Sequence, residues 1–274
     1  METVLITGCS SGIGEATARA FNDAGWTVYA TARDTDDVEH LAEEGCETAR
    51  LDVTRGEAVR RVVDRMIEET GRIDCLVNNA GYAVYSPVED VPLRDVHEQF
   101  DVNVYGPHRL IRAVLPHMRE QEDGTIVNLS SVNGRVSAPL SGIYSGSKFA
   151  LEAMSDALRN EVAGLGIDVV LVEPGPVDTS FTDRMDEEAA DDHERTAAYD
   201  GFYAVLSDAS SVWGEGPIAI EPGDVAATIL NAASCTDPAS RYPVGTFARL
   251  AVRARFLPDR VLDGIYRLAV RFAG

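Results

Sequence analysis

Lysine is almost absent from this chain. Its 274 residues include a single lysine, Lys148, and the 24 basic residues are outnumbered by 45 acidic ones. The formal net charge is −21 and the sequence pI is about 4.5. A surface this acidic repels a polyanion, so the composition argues against nucleic acid as a partner.

The acidic residues are spread along most of the chain. Their mutual repulsion destabilises a fold in dilute buffer, but at molar salt the Debye length falls to about 3 Å and the repulsion is screened. The composition therefore resembles that of a cytoplasmic protein from a salt-accumulating halophile. An acidic face made for a basic partner, the alternative, predicts a local cluster instead.

Long apolar runs and metal-binding patterns are also lacking. No run approaches the roughly 20 apolar residues that span a bilayer, and we expect no signal peptide and a cytoplasmic location. The cysteines are too dispersed for a zinc site, and we expect them to be reduced: Cys9, Cys46, Cys75 and Cys235. We expect Cys9, which lies in a glycine-rich turn, to be sensitive to alkylation. The histidines also form no ligand pattern, so we predict no metal: His40, His97, His108, His117 and His193.

The single lysine follows Tyr144 by four residues. On a helix this spacing puts both side chains on one face. An ammonium about 5 Å from a phenol favours the phenolate by roughly 3 kcal/mol, or about two pKa units. The pair therefore predicts a general acid/base that works near neutral pH. A surface lysine beside a packed tyrosine is the alternative.

A glycine-rich segment follows the first predicted strand, Thr3 to Thr7. Gly8, Gly12 and Gly14 lead from this strand into a predicted helix. Backbone amides at such a helix start bind a pyrophosphate, and glycine lets it approach closely. The Gly-x-x-x-Gly-x-Gly spacing departs from the commoner Gly-x-Gly-x-x-Gly pattern, so an ordinary glycine-rich turn stays open on this evidence alone.

Together with further motifs, these segments resemble the short-chain dehydrogenase/reductase family. The resemblance extends over Thr7 to Gly14, Asn78 to Gly81, Asn103, Ser131 thirteen residues before Tyr144, and Pro174 to Thr179. The family's own three-glycine spacing explains the departure noted above. Membership implies an enzyme that moves hydride between a nicotinamide and a carbonyl or alcohol. The long segment after the sixth strand and the extended carboxyl end make the chain most similar to hydroxysteroid and retinol dehydrogenases.

Hydrophobic periodicity predicts an α/β fold. Six short apolar strands are expected at Thr3 to Thr7, Thr27 to Thr31, Thr48 to Val53, Ile73 to Val77, Thr125 to Leu129 and Val169 to Val172. Helical patterns such as Glu57 to Glu69 and Val104 to Met118 separate them. We predict one domain over residues 1–274, a doubly wound parallel sheet (Rossmann fold) with helices on both faces. A lid is expected at about 181–220, and a helical carboxyl-terminal extension at about 241–274.

The end of the second predicted strand indicates the cofactor. Ala32 stands where family members that use NAD usually carry aspartate, and Arg33 follows it. A guanidinium can hold a 2′-phosphate with two hydrogen bonds, so we predict NADP(H). NAD(H) is the alternative if Asp34 swings in or Arg33 points to solvent.

The remaining cofactor contacts are implied by the resemblance. The predicted set is Gly8, Ser10, Ser11, Gly12, Ile13, Gly14, Arg33, Asp52, Val53, Asn79, Ala80, Gly81, Tyr144, Lys148, Pro174, Gly175, Val177 and Thr179. Asp52 matches the position that contacts adenine in relatives, but it can equally cap the helix that begins near Glu57.

By the same resemblance, four residues have catalytic roles. Tyr144 exchanges a proton with the substrate oxygen, and Lys148 lowers the tyrosine pKa and holds the nicotinamide ribose. Ser131 hydrogen-bonds the substrate oxygen, although Ser130 replaces it if the register is off by one. Asn103 holds a water that connects Lys148 to solvent, or merely kinks its helix.

The predicted substrate pocket is apolar. Its expected lining is Val132, Leu140, Tyr199, Phe202 and Tyr203, which suits a bulky apolar ketone or alcohol. The three aromatics could instead anchor their segment to the protein. The alternatives to this function are a reductase of acyl-thioester or sugar substrates, and a regulator that senses NADP(H) without turnover.

The carboxyl end reverses the charge pattern. From Arg241 onward there are seven arginines and two acidic residues. Apolar residues recur there at helical spacing, so these helices are expected to dock on the domain or on another subunit, to cover the pocket, or to contact a membrane surface peripherally. Family members are commonly dimers or tetramers, so we expect a homodimer or homotetramer.

Overall fold

The computed structural model describes residues 1–178, 195–204 and 218–273, with side chains described as far as residue 268. Thr179 and most of the predicted lid therefore lie outside the described residues.

Seven parallel strands form the sheet, in the order β3-β2-β1-β4-β5-β6-β7. They are β1 Thr3–Thr7, β2 Thr27–Ala32, β3 Glu47–Arg50, β4 Cys75–Asn78, β5 Gly124–Leu129, β6 Ile167–Pro174 and β7 Arg241–Val244. The order reverses between β1 and β4, and in sheets of this kind ligands bind at the carboxyl ends of the strands beside that reversal. The predicted fold class is confirmed.

Helices cover both faces of this sheet. They are α1 Gly12–Asp23, α2 Glu39–Glu43, α3 Gly56–Thr70, α4 Leu93–Phe100, α5 Gly106–Gln121, α6 Gly142–Glu161, α7 Pro222–Ser234, α8 Thr246–Ala254 and α9 Asp259–Ala273. Side chains of β1 alternate between two cores, as strand geometry requires. Val4 and Ile6 pack with α1 and α7. Leu5 packs with α3 and α5.

Strand β7 was not predicted. Its sequence, Arg-Tyr-Pro-Val, has no apolar alternation, and among the described strands it pairs with β6 alone. A proline is tolerated there because an edge strand leaves one side of its backbone unpaired. The carboxyl-terminal extension thus begins with a strand, and its helical part starts at Thr246.

Two asparagines and a serine tie α6 to the sheet. Asn78 Nδ2 donates to Asn128 Oδ1 at 2.8 Å, and Asn128 Nδ2 donates to Ser155 Oγ at 2.9 Å. All three side chains are buried. Because unpaired polar groups are costly in a core, this chain of bonds fixes α6 against β4 and β5. None of the described helices combines the length and the hydropathy that a bilayer span requires.

Candidate active site

The glycine-rich turn between β1 and α1 is tightly packed. Gly12 has φ +59°, a left-handed conformation that side chains rarely adopt. A Cβ on Gly14 would lie 2.0 Å from the Gly8 carbonyl oxygen. Ser11 is the N-cap of α1, and its side chain makes no capping hydrogen bond to the backbone amides of the first helical turn.

Asn79 joins the end of β4 to this turn. Its Nδ2 donates to the carbonyls of Thr7 at 2.8 Å and Gly8 at 3.0 Å. In return, Thr7 Oγ1 accepts from the backbone amides of Asn79 at 3.1 Å and Ala80 at 3.0 Å. The structure therefore brings the predicted residues Gly8 to Gly14 and Asn79 to Gly81 together.

Asn103 lies in a π-helical turn, Asp101–Tyr105, between α4 and α5. Its Nδ2 donates to the Tyr82 carbonyl at 2.8 Å and to Ser147 Oγ at 3.1 Å, while its Oδ1 accepts from the Tyr82 amide at 3.1 Å. Widened turns of this kind often occur at functional sites. Asn103 thus lies where the regular α-helix is interrupted by the π-helical turn. Its side chain also links α6 to the segment after Gly81.

Ser131, Tyr144 and Lys148 converge behind the carboxyl end of β5, and all three are buried. The Ser131 hydroxyl lies near enough to the Tyr144 phenol to lower the pKa of that phenol. The Ser130 hydroxyl is directed instead toward Gly134, where an added Cβ would meet it at 2.6 Å. The register with Ser131 opposite Tyr144 is the one that the structure adopts.

Lys148 donates from Nζ to the Leu129 carbonyl at 2.8 Å, and its Nζ lies 5.8 Å from the centroid of the Tyr144 ring. Burial raises the pKa of Tyr144 to about 12, against the lowering effect of the Ser131 hydrogen bond. Burial also lowers the pKa of Lys148 to about 8, opposed by the Glu152 carboxylate. The chain's own groups therefore shift the Tyr144 pKa upward, opposite to the predicted lowering, because burial is the largest effect on the phenol.

A second tyrosine, Tyr85, flanks this cluster and was not predicted. Its ring centroid lies 5.7 Å from that of Tyr144. Burial raises its pKa, and Tyr144 adds to the effect. The residue lies in irregular chain after β4, where periodicity gives no indication of which side chain turns inward.

At the end of β2, Arg33 is exposed. Its carbonyl accepts from Arg50 Nε at 3.0 Å, so a second arginine that the sequence analysis missed lies beside it. Asp52 accepts from the Thr54 amide at 2.9 Å and hydroxyl at 2.7 Å. It does not cap α3, whose N-cap is Arg55. Val53, another predicted cofactor residue, is buried next to Asp52.

The chain after β6 follows the sheet edge. Gly175 donates from its amide to the Val244 carbonyl at 3.2 Å, and Val177 pairs with Ile220. A Cβ on Gly175 would lie 3.5 Å from Phe247 Cδ1. Helix α8 therefore begins beside the predicted nicotinamide end of the site, next to Pro174 and Gly175.

The predicted substrate residues fall into two groups. Val132 is buried next to Ser131, and Leu140 has φ +71° with its carbonyl accepting from the Ser86 amide at 2.9 Å. Tyr203 bonds Ser86 at 3.1 Å and Asp90 at 2.7 Å, and Tyr199 bonds Glu89 at 2.6 Å. Phe202 stacks edge-on against Tyr199. These bonds attach the segment 195–204 to Ser86 and to the turn Val88–Asp90.

Two buried carboxylates, Glu152 on α6 and Glu173 on β6, share a pair of arginines. Glu173 accepts from Arg135 at 3.0 Å and pairs with Arg241 at 3.3 Å. Glu152 pairs with Arg241 at 3.0 Å and with Arg135 at 3.8 Å. Burial and the neighbouring Glu152 raise the pKa of Glu173. This charge network could not be predicted from local sequence patterns, because its four members come from four separate segments.

Cys9 is fully buried, and burial raises the pKa of its thiol to about 12. Burial and the raised thiol pKa both argue against the expectation that Cys9 is sensitive to alkylation, since the reactive species is the thiolate. Within the described part of the chain, no cluster of three or more metal-ligand side chains occurs.

The chain matches the family model described as short chain dehydrogenase over residues 2–190. It therefore belongs to the short-chain dehydrogenase/reductase family and is an oxidoreductase. It is 37% identical over 269 residues to the uncharacterized oxidoreductase YbbO of Escherichia coli K12, covering 96% of this chain and 93% of that protein.

Two other relatives have named substrates. The 3-ketodihydrosphingosine reductase of Bacteroides thetaiotaomicron is 34% identical, with 99% of this chain and 98% of the relative covered. The NADPH-dependent 3-dehydrocapnine reductase of Ornithobacterium rhinotracheale is 31% identical, with 97% and 96% covered.

Solved structures agree with this placement. A short-chain dehydrogenase from Streptomyces avermitilis superposes with TM-score 0.82 at 33% identity, covering 100% of this chain and 98% of that one. One from Burkholderia phymatum, in complex with NAD, gives 0.77 at 28% identity and covers 92% of each chain. A metagenomic member in complex with NADP gives 0.69 at 25%, covering 89% and 96%. The neighbours thus bind either nicotinamide cofactor.

Proposed function

We propose that the protein is an NADP(H)-dependent reductase of a ketone that carries a long apolar chain. The convergence of Ser131, Tyr144 and Lys148, all buried at the carboxyl end of β5, is the observation that carries the proposal. It places a hydroxyl and a phenol close together. Both could donate hydrogen bonds to one carbonyl oxygen, and the phenol could transfer a proton to it.

The residues of the sheet edge fit a dinucleotide. The start of α1 presents backbone amides at the positive end of a helix without a capping side chain, which suits a pyrophosphate. When bound, the cofactor supplies the hydride. Arg33, and Arg50 beside it, would hold the 2′-phosphate of NADP(H), since paired guanidinium groups favour phosphate over a bare hydroxyl. NAD(H) stays the alternative, as the NAD complex of one structural neighbour illustrates.

The protonation state of Tyr144 favours reduction over oxidation. A pKa of about 12 keeps the phenol protonated at neutral pH, so it can donate a proton to a carbonyl. Oxidation of an alcohol would need the phenolate, which the chain's own groups disfavour. Ser131 would bind the same oxygen and stabilise charge that develops on it. Lys148 would bind the ribose hydroxyls. Asn103 would hold the junction of α4 and α5 against α6 through its hydrogen bond to Ser147.

The substrate class is supported by two relatives. One is named as a reductase of 3-ketodihydrosphingosine and the other as a reductase of 3-dehydrocapnine. In this chain, Val132 next to Ser131 and Leu140 across from Ser86 would give a lipid chain apolar contact. We therefore propose a 3-oxo lipid with a long alkyl chain as substrate.

The test is initial-rate oxidation of NADPH and NADH with a homologous series of ketones, from short and soluble to long-chain. We expect kcat/KM to be at least about tenfold higher with NADPH, and to rise roughly two- to fourfold per added methylene until the pocket is filled. Faster turnover of an acyl-thioester or a sugar would favour that alternative class of reductase. Tight NADPH binding without turnover of any ketone would favour a sensor.

A further inference from the structure

Helices α8 and α9 expose an apolar stripe. Five of its side chains are more than 45% exposed: Leu250, Phe256, Val261, Ile265 and Leu268. Val261, Ile265 and Leu268 are spaced by four and three residues, so they share one side of α9. Phe256, in the link between the helices, is 83% exposed. We call these five residues the C-terminal face.

Unpaired arginines surround this face. Arg249, Arg253, Arg255, Arg260 and Arg267 are all exposed. In the described part of the chain, none of the five makes an ion pair, whereas Arg19, which is also exposed, and Arg65, which is half-buried, are paired with carboxylates. The protein has a net charge of −21, so these five arginines form a local positive region that favours an anionic partner.

The face adjoins the proposed active site. Phe247, in the first turn of α8, contacts Gly175, and Ala248 behind it is fully buried. The same helix lies against the turn Val132–Gly134, which follows Ser131. One end of α8 is thus at the ketone-binding end of the cleft, and the other end leads into the exposed stripe.

We propose that the C-terminal face binds the surface of an anionic lipid bilayer, so that the long-chain substrate enters the cleft directly from the membrane. An apolar stripe flanked by arginines is the pattern of helices that lie in the headgroup region. The rest of this acidic protein is repelled by anionic lipid, which would orient the molecule with the face inward. Membrane entry, but not surface binding, rests on the proposed lipid substrate.

The binding step is tested without substrate or cofactor, by sedimentation with two vesicle preparations. One is phosphatidylcholine alone, and the other contains about 30% phosphatidylglycerol. At about 0.15 M salt we expect at least about tenfold more protein on the anionic vesicles, falling as KCl is raised. Circular dichroism at each salt concentration checks that the protein is folded.

Two double variants test the two parts of the face. Ile265→Asp with Leu268→Asp should lower binding about tenfold, and Arg260→Gln with Arg267→Gln should lower it several-fold and weaken its salt dependence. Matched changes elsewhere, Leu93→Asp on α4 and Arg60→Gln with Arg61→Gln on α3, should leave binding unchanged. These variants should all reduce a short soluble ketone at the wild-type rate when vesicles are absent.

Three outcomes would overturn the proposal. Equal binding to neutral and anionic vesicles removes the role of the arginines, and unchanged binding of the aspartate variant removes that of the stripe. Loss of a dimer in the aspartate variant, seen by analytical ultracentrifugation, would identify a second copy of the chain as the occupant. Vesicle binding without turnover of any ketone would contradict the proposed function and leave surface binding standing.

Discussion

Glu152 lies one helical turn after Lys148 on α6, and its carboxylate raises the pKa of the lysine against the lowering caused by burial. Arg135 and Arg241 both pair with Glu152, at 3.8 and 3.0 Å. The charge of the single lysine therefore depends on residues outside the proposed site.

The Glu152→Gln variant should lower the pKa of Lys148 by about one unit, because it removes a negative charge within a buried region. The measurement is nuclear magnetic resonance of protein labelled with [ε-15N]lysine. Since the chain has one lysine, a single side-chain resonance reports the titration. In the wild type it should titrate near the value of about 8 that burial sets.

The matched control is Asp156→Asn. Asp156 also pairs with Arg241, at 2.7 Å, but lies two turns from Lys148 and is only partly buried. It should leave the lysine titration within a few tenths of a unit. Equal shifts in both variants would mean that a change in packing, and not the Glu152 charge, moves the pKa.

The pH dependence of reduction follows from the same groups. The Lys148 ammonium is present below about pH 8 and is lost as pH rises through that value. Tyr144, with a pKa near 12, stays protonated over this range. We expect kcat/KM for ketone reduction to be level below pH 8 and to fall above it. A plateau that extends to pH 10 would contradict a role for the ammonium.

Replacing Tyr144 by Phe should lower kcat about 10²- to 10⁴-fold, because the proton donor is removed. NADPH binding, followed by fluorescence, should change much less. Tyr85→Phe is the control, since its ring is adjacent but its hydroxyl has no proposed part in proton transfer. If Tyr85→Phe loses as much activity as Tyr144→Phe, the assignment of the acid is wrong.

Replacing Arg33 by Ala should lower kcat/KM with NADPH by about tenfold or more and leave the value with NADH nearly unchanged. Arg50→Ala should act in the same direction, more weakly. Arg61→Ala, an exposed change on α3, serves as the control. Equal losses with both cofactors would show that Arg33 supports the fold of the site and does not recognise the phosphate.

Alkylation should distinguish the cysteines. Among the four, Cys235 alone is exposed, whereas Cys9 is buried with its pKa raised to about 12. Iodoacetamide at pH 8 should therefore modify Cys235 first by peptide mass mapping, and NADPH should not alter the pattern. Rapid modification of Cys9 that NADPH prevents would indicate that the turn opens in solution.

Much of the site was predictable because local sequence determines it. The strand at Thr3–Thr7 and the glycine turn follow from β-branched and glycine residues that have few alternative conformations. The Tyr144 and Lys148 pair follows from helical spacing. Each of these features depends on residues close together in the chain.

What could not be predicted depends on residues far apart. Tyr85 reaches Tyr144 across 59 positions through an irregular segment. Arg33, which follows β2, and Arg50, the last residue of β3, meet only because these two strands pair. The Tyr144 pKa was misjudged for a similar reason, since the extent of burial is set by the whole core and not by the neighbouring lysine.

The pairing of Arg241 with Glu152 and Glu173 has a consequence for the order in which the protein forms on the ribosome. Both carboxylates belong to elements completed by residue 174, but the arginine that bridges them arrives on the last strand of the sheet. Until that strand docks, two buried carboxylates share only Arg135, an unfavourable arrangement in a low-dielectric core. The half of the sheet against which α6 packs, the helix that carries Tyr144 and Lys148, should therefore form late, after nearly nine-tenths of the chain has been synthesised.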